Sequence, residues 1–327
     1  MASGHPKLPK KTPATILSKR AIFSALKDID DDNAARNRVL AMEEEFRKRI
    51  DGHLTALPTA NAEFRKFNTS PFVLMFYSRQ QNYARVKQIE KDIVPAKVFS
   101  SMETSAGRMV ETVVLPIYGW QVVPSSMHSI ESVLDGRKTV SDGTFMAATL
   151  KSGPRCLNDE MSKDIGKDVV ANVHAWAKSH GSSKVDFTYG VLYGTKKQSN
   201  KKDWHVLRNI EESLDTSAKI ISPCDGQWSL SYQESKLDVT ATVRVGIEWW
   251  DYLGGENTWI ELCAALIRVC ISPTGDTLQT ANYVISDLKD ILDLSSIPKS
   301  FNVALLQKSQ LEWLLFLARH FCDELAP

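Results

Sequence analysis

The sequence predicts a mixed α/β protein: a mixed β-sheet flanked by helices, with a helical N-terminal region. Three observations predict it. From about residue 13 to 118 apolar residues recur mostly at helical spacing. After Trp120 short strand-like runs begin, and the remainder interleaves strands with helices. That order of elements suits a sheet covered by helices on its faces.

Taken in order, residues 1–12 are polar and rich in Lys and Pro, and read as a disordered basic arm with little to bury. A helical region is expected over 13–100. Within it, Arg36–Leu57 places Val39, Leu40, Met42, Phe46, Ile50 and Leu54 at helical intervals. Phe72–Phe76 is a short apolar run ahead of a basic helical stretch through Arg79, Arg85, Lys87 and Lys91. Residues 101–327 form the expected main unit, a core with C-terminal helices. It opens with a helix over Ser101–Trp120, stopped by Pro116 and Gly119.

Gln121–Pro124, Arg137–Val140 and Thr144–Lys151 are strand candidates. The last two are joined by Ser141-Asp142-Gly143, a strong hairpin signal because Asp-Gly tolerates the positive φ such turns need. A loop at Ser152-Gly153-Pro154 leads to a helix over about 158–179, with Asn158 as a natural N-cap and Asp159 and Glu160 in its first turn. Val185–Tyr193 is a nearly continuous apolar run, as a buried central strand requires. Residues 195–205 read as a basic loop. Strands are expected at Ala218–Ile221, Trp228–Tyr232 and Leu237–Ile247, and helices at Trp259–Cys270, Asn282–Leu294 and Ala304–Leu325.

Composition sets limits on function. The 327 residues are 43 % hydrophobic and 24 % charged, values of an ordinary globular protein. No apolar run approaches a membrane span, and the N-terminus lacks an apolar signal core. The five cysteines form no Cys-x-x-Cys pair, so a reducing cytoplasm suits the chain and a structural zinc site is not expected. The seven histidines show no metal-ligand spacing, and no Walker loop or dinucleotide glycine pattern occurs. A net charge of +1 neither suggests nor excludes nucleic-acid binding, because a large protein can concentrate its positive field in one cleft.

The stretch that carries chemistry is 134–168. An apolar strand delivers Lys151 at its end, directly before a Gly-Pro turn. Asp135 begins the preceding strand, Asp142 sits in the turn, and acids line the start of the next helix. Phosphodiester hydrolysis needs a metal to neutralise the phosphate and activate water. Carboxylates hold hard Mg²⁺, and a lysine beside them offsets developing negative charge.

This stretch resembles the PD-(D/E)xK nucleases, and Lys151-Ser152-Gly153-Pro154 followed by Asn158 at a helix start is similar to type II restriction enzymes. The resemblance implies a restriction-endonuclease-like fold, with Asp on one hairpin strand and (D/E)xK on the next. Sixteen positions separate Asp135 from Lys151, which suits such a hairpin. Asp142 is nine before the lysine and is also explained as a turn residue, so Asp135 ranks above it. The chain departs from the pattern two residues before the lysine, where Thr149 replaces the acid. One branch, cutting CCGG-like and CCNGG-like sites, resembles this arrangement and draws the carboxylate from the following helix. That implies Asp164, thirteen after the lysine, or Glu160 one turn earlier. The same branch implies Arg155 as a base reader, by bidentate bonds to guanine. It also implies Glu111 as a supporting glutamate from an upstream helix.

On this resemblance the chain is expected to be a Mg²⁺-dependent type II site-specific deoxyribonuclease acting on double-stranded DNA. A twofold site is best read by a homodimer or a higher symmetric homo-oligomer. Asp135 with Asp164 or Glu160 would hold the metal, beside Lys151. Lys196, Lys197, Lys201 and Lys202, with Arg155 and Asn158, are the candidate DNA contacts. Two other functions fit the same core: a structure-specific repair or resolution nuclease, or a non-catalytic DNA-binding protein in which Thr149 marks a decayed site. Trp249-Trp250-Asp251-Tyr252 reads as core or dimer packing rather than a base-stacking platform.

Overall fold

The computed structural model describes residues 5–10, 12–56, 63, 71–124, 129–199, 201–271 and 285–327. The chain begins with strand β1 (Ile16–Ser18) and helices α1 (Lys19–Asp31), α2 (Asn33–Ala56), α3 (Pro71–Gln80) and α4 (Glu90–Ile117). Strands β2 (Gln121–Val122), β3 (Gly136–Thr139) and β4 (Phe145–Lys151) follow, then α5 (Asp159–Ser179), β5 (Lys184–Val191) and α6 (Lys201–Ser213). Next come β6 (Lys219–Ser222), β7 (Ser229–Glu234), β8 (Leu237–Val245), α7 (Ile247–Gly254) and α8 (Thr258–Cys270). Short α9 (Leu288–Ile291), α10 (Leu311–Ala318) and β9 (Glu324–Ala326) complete it.

Seven strands form one mixed sheet in the order β2-β3-β4-β5-β8-β7-β6. The central β4, β5 and β8 run parallel, and the outer strands pair antiparallel. The crossover between β4 and β5 needs a helix, and α5 supplies it. The hairpin between β3 and β4 forms as its Asp-Gly pair dictates: Gly143 takes φ +82°, and Asp142 Oδ1 accepts the Thr144 N–H at 2.9 Å.

Side-chain alternation along β4 divides the core in two. Phe145 and Ala147 pack with Val169, Trp176, Leu207 and Ile210, the inner faces of α5 and α6. Ala148 and Leu150 pack on the other side with Val113 and Leu115 of α4, Trp249 of α7 and residues of α1, α2, α8 and α10. The result is a mixed sheet between helical layers, the fold class expected. Helices α1 and α2 pack into the half of the core that holds Ala148 and Leu150, where Leu26, Val39, Met42 and Phe46 join Leu262 and Leu314. Position 100 falls inside α4.

Four local expectations differ. The basic loop at 195–205 ends early, because residues 201–213 form α6, with Trp204, Leu207 and Ile210 buried at helical spacing. Lysines at its start oppose the helix dipole and mask the usual acidic N-terminal signal. The helix expected over 304–325 is confined to α10, and the chain end instead forms β9, parallel to β1 (Ile16 opposite Glu324). A pairing across the whole length of the chain leaves no local periodic signature. Of the helix expected over 282–294, residues 282–284 lie outside the described residues, and α9 is what forms beyond them. The basic arm lies on the fold at 5–10: Gly226 N–H donates to Lys7 O at 2.7 Å, Lys7 N–H to Asp225 Oδ1 at 2.5 Å, and Leu8 packs against the half of the core that holds Phe145, Val169 and Trp176.

Candidate active site

Three elements meet where β4 ends. Asp135 stands one residue before β3, and its own N–H donates to Ala148 O at 2.8 Å. Its Oδ2 accepts the N–H of Leu150 at 2.7 Å. The β3–β4 pairing stops at Gly136 opposite Ala148, so the carboxylate takes a strand N–H that β3 no longer reaches. Val123 N–H donates to Asp135 O at 3.0 Å and fixes the other side of this residue.

Helix α4 comes close to the strand end because Gly107 has no side chain. A Cβ there would lie 2.8 Å from Ser152 Cβ, nearer than two carbons pack. One turn further along α4 is Glu111, buried at 7 % exposure. Arg108, three residues before it on the same helical face, reaches both acids: Nη1 is 3.3 Å from Asp135 Oδ1 and 3.7 Å from Glu111 Oε2. Lys151 is the second positive charge felt by both carboxylates. The cluster is therefore Arg108, Glu111, Asp135 and Lys151.

Its electrostatics are those of a desolvated acid pair flanked by two cations. Burial pushes the Glu111 carboxyl up to about 8, and the neighbouring Asp135 adds to the rise against Arg108 and Lys151. Burial also raises Asp135, opposed by the Leu150 N–H, Lys151 and Arg108. Thr149, two residues before Lys151, is buried, and its Oγ1 donates to Val133 O at 2.6 Å. It serves the loop before β3.

The other sequence candidates fall elsewhere. Asp142 is in the turn at the far end of β4, with its carboxyl held below the usual range by the Thr144 N–H. The six-residue rise of the strand puts it about 20 Å from Lys151, so it is not part of the cluster. Asn158 caps α5 by accepting the Met161 N–H at 2.8 Å. Glu160 and Asp164 lie exposed on α5. Neither is among the charges felt by Glu111 or Asp135, and Asp164 instead raises its neighbour Asp168, whose own burial is the larger cause. Among the described residues no group of three or more His, Cys, Asp or Glu side chains is placed to hold a metal ion.

Arg155 is exposed in the loop after Lys151, at φ +70°, a left-handed conformation that costs a non-glycine residue about 1 kcal/mol. Its Nε donates to Gln198 O at 3.2 Å, so two loops at this end of the sheet are tied together. Of the lysines, Lys196 pairs with Glu248 at 2.7 Å over the Trp228 ring, and Lys202 pairs with Asp159 at 2.9 Å. Lys197 and Lys201 are exposed.

Residues 68–214 match the family model of the type II restriction endonuclease EcoO109I. The matched stretch runs from α3 to α6 and contains every member of the cluster. No curated protein matches the chain. The similarity supports a DNA-cleaving nuclease of the type II restriction kind, and the mixed sheet flanked by helices is consistent with a restriction-endonuclease-like fold. No helix among the described residues is long and apolar enough to cross a membrane.

Sequence reading did not single out Arg108, although the signal was present: an arginine three residues before a glutamate on one helix face, one residue after a glycine.

Proposed function

We propose that the chain is a Mg²⁺-dependent type II restriction endonuclease that hydrolyses phosphodiester bonds at a short specific site in double-stranded DNA. The observation that carries this reading is the meeting of Glu111, Asp135 and Lys151 at the end of β4, inside the stretch similar to a restriction-enzyme family. The donor set fits a hard divalent ion. Two carboxylates lie side by side largely out of water, and Mg²⁺ is commonly held by one or two carboxylates together with water and substrate phosphate. The ion supplies charge neutralisation at the phosphate and a water of lowered pKa.

Asp135 and Glu111 are the ligands in this reading. The carboxylate absent at Thr149 is thus supplied by the helix before the hairpin, and not by Asp164 or Glu160 of the helix after it. Asp135 is held by its bond to Leu150 N–H, which leaves Oδ1 as the oxygen to present. Lys151, half-buried at the strand end, offsets the negative charge that builds on the phosphoryl oxygens. Arg155, Lys197 and Lys201 supply the exposed positive charge for DNA, where phosphate contacts set the position and base contacts the sequence. A palindromic site is matched by two copies of the chain, and a homodimer is the assembly proposed.

Phage DNA incubated with the protein, with Mg²⁺ and with EDTA in parallel, tests the reading. Discrete fragments that need Mg²⁺ are expected, and sequencing their ends gives the site. A smear points to a structure-specific or non-specific nuclease, and uncut DNA in both lanes overturns the catalytic assignment.

A further inference from the structure

Arg108 stands where a cation belongs. One of its nitrogens is shared between Asp135 Oδ1 at 3.3 Å and Glu111 Oε2 at 3.7 Å, the two carboxylates proposed above as ligands. Those acids are held in place, with side chains 22 % and 8 % exposed, whereas the Arg108 side chain is 42 % exposed and has solvent to move into. A divalent ion binds a carboxylate oxygen at about 2.0–2.1 Å and repels a guanidinium in contact with the same oxygen. Both cannot keep Asp135 Oδ1.

We propose that Arg108 is a place-holding cation, which neutralises the Glu111–Asp135 pair in the metal-free protein and leaves Asp135 when a divalent ion binds. The released guanidinium, rooted on α4 at the rim of the site, then holds a DNA phosphate. Its planar fork of donors suits that task, and the metal-loaded site no longer competes for it. Metal and DNA binding become coupled through one side chain that each ligand displaces or recruits. This inference rests on the nuclease reading of the same site.

The test titrates Mn²⁺ alone into DNA-free protein and counts the unbound ion by electron paramagnetic resonance. It compares the parent, Arg108→Gln, Arg108→Lys and Asp135→Asn. Arg108→Gln removes the competitor, and its Mn²⁺ affinity rises roughly fivefold or more. Arg108→Lys keeps a positive charge and falls between Gln and the parent. With saturating metal, the same Gln variant cleaves DNA more slowly than the parent. Tighter metal with slower cleavage is a split that loss of a merely structural contact does not give, since that loss weakens both.

Unchanged or weaker Mn²⁺ binding in Arg108→Gln, with binding abolished in Asp135→Asn, overturns the place-holding role and leaves the nuclease reading standing. Tighter binding with unaltered cleavage overturns the phosphate-holding role. Mn²⁺ binding by Asp135→Asn equal to the parent's overturns the metal site and the proposal together. Because Arg108 is so exposed, both its variants are expected to keep the parent's melting temperature within a few degrees.

Discussion

Helices α4 and α5 flank the same strand end, and both bring acids toward it in sequence, but the two sets live in different surroundings. On α5, Asp159 and Glu160 occupy the first turn, where carboxylates favour the helix dipole, and Asp159 is paired with Lys202. These acids are solvated. On α4, Glu111 is mid-helix and buried, and its carboxyl is pushed up to about 8 beside Asp135. An acid at a helix start needs no further explanation. An acid buried against a second acid costs stability unless something is to be held there. The contrast teaches that the acid brought beside Asp135 is the desolvated one of α4, whatever its count of residues from the lysine.

The largest expected effect tests that contrast directly. Asp135→Asn, Glu111→Gln and Lys151→Ala each lower cleavage by about 10³-fold or more, roughly 4 kcal/mol of transition-state stabilisation, while Glu160→Gln and Asp164→Asn stay within about twofold. Single-turnover cleavage rates give the ranking, and a reversed ranking assigns the ligand to α5.

Next is Gly107→Ala. The added Cβ meets Ser152 Cβ at 2.8 Å, so α4 must back away from the strand end. A loss of about 1–3 kcal/mol in denaturant unfolding is expected, with cleavage falling further than stability explains. Normal cleavage in this variant means that the α4 approach does not build the site.

A third prediction sharpens the electrostatic side. Glu111 titrates from an ordinary value of 4.5 to about 8 on folding, so the folded protein holds this proton more tightly than the unfolded chain. Its burial therefore costs nothing below pH 4.5, costs progressively more from 4.5 to 8, and stays constant above. In metal-free thermal melts, Glu111→Gln should gain on the parent across that window and be the more stable protein at pH 8. Parallel curves would falsify the buried, proton-holding state of Glu111.

The smallest effect belongs to α5. Asn158→Ala removes the cap bond to Met161 N–H and should cost about 1 kcal/mol in unfolding free energy. DNA affinity measured at one salt concentration should change little. A large affinity loss at unchanged stability restores Asn158 as a DNA contact.

Much of the fold was readable because its signals are local. The Asp142-Gly143 turn, the apolar run of β5, the Asn158 cap and the stripe of α2 each lie within a few residues of the structure they form. The start of α6 was hidden because Lys201 and Lys202 oppose the dipole rule, and the β1–β9 pairing because its partners are the two ends of the chain. For the site, Asp135 and Lys151 could be paired from the hairpin alone. The position of Glu111 in the cluster could not, since it depends on how closely α4 approaches.

By itself the sequence determined the β3–β4 hairpin, the lysine at its end and the threonine two residues before it, because hairpin register follows from turn chemistry and alternation. Only the tertiary structure decided which carboxylate stands beside Asp135. That choice is made by Gly107 against Ser152, a contact between segments 45 positions apart in the chain. It places Glu111 out of water beside another acid, and places Arg108 between them. Packing distance and desolvation set those relations, and neither is written in residue spacing.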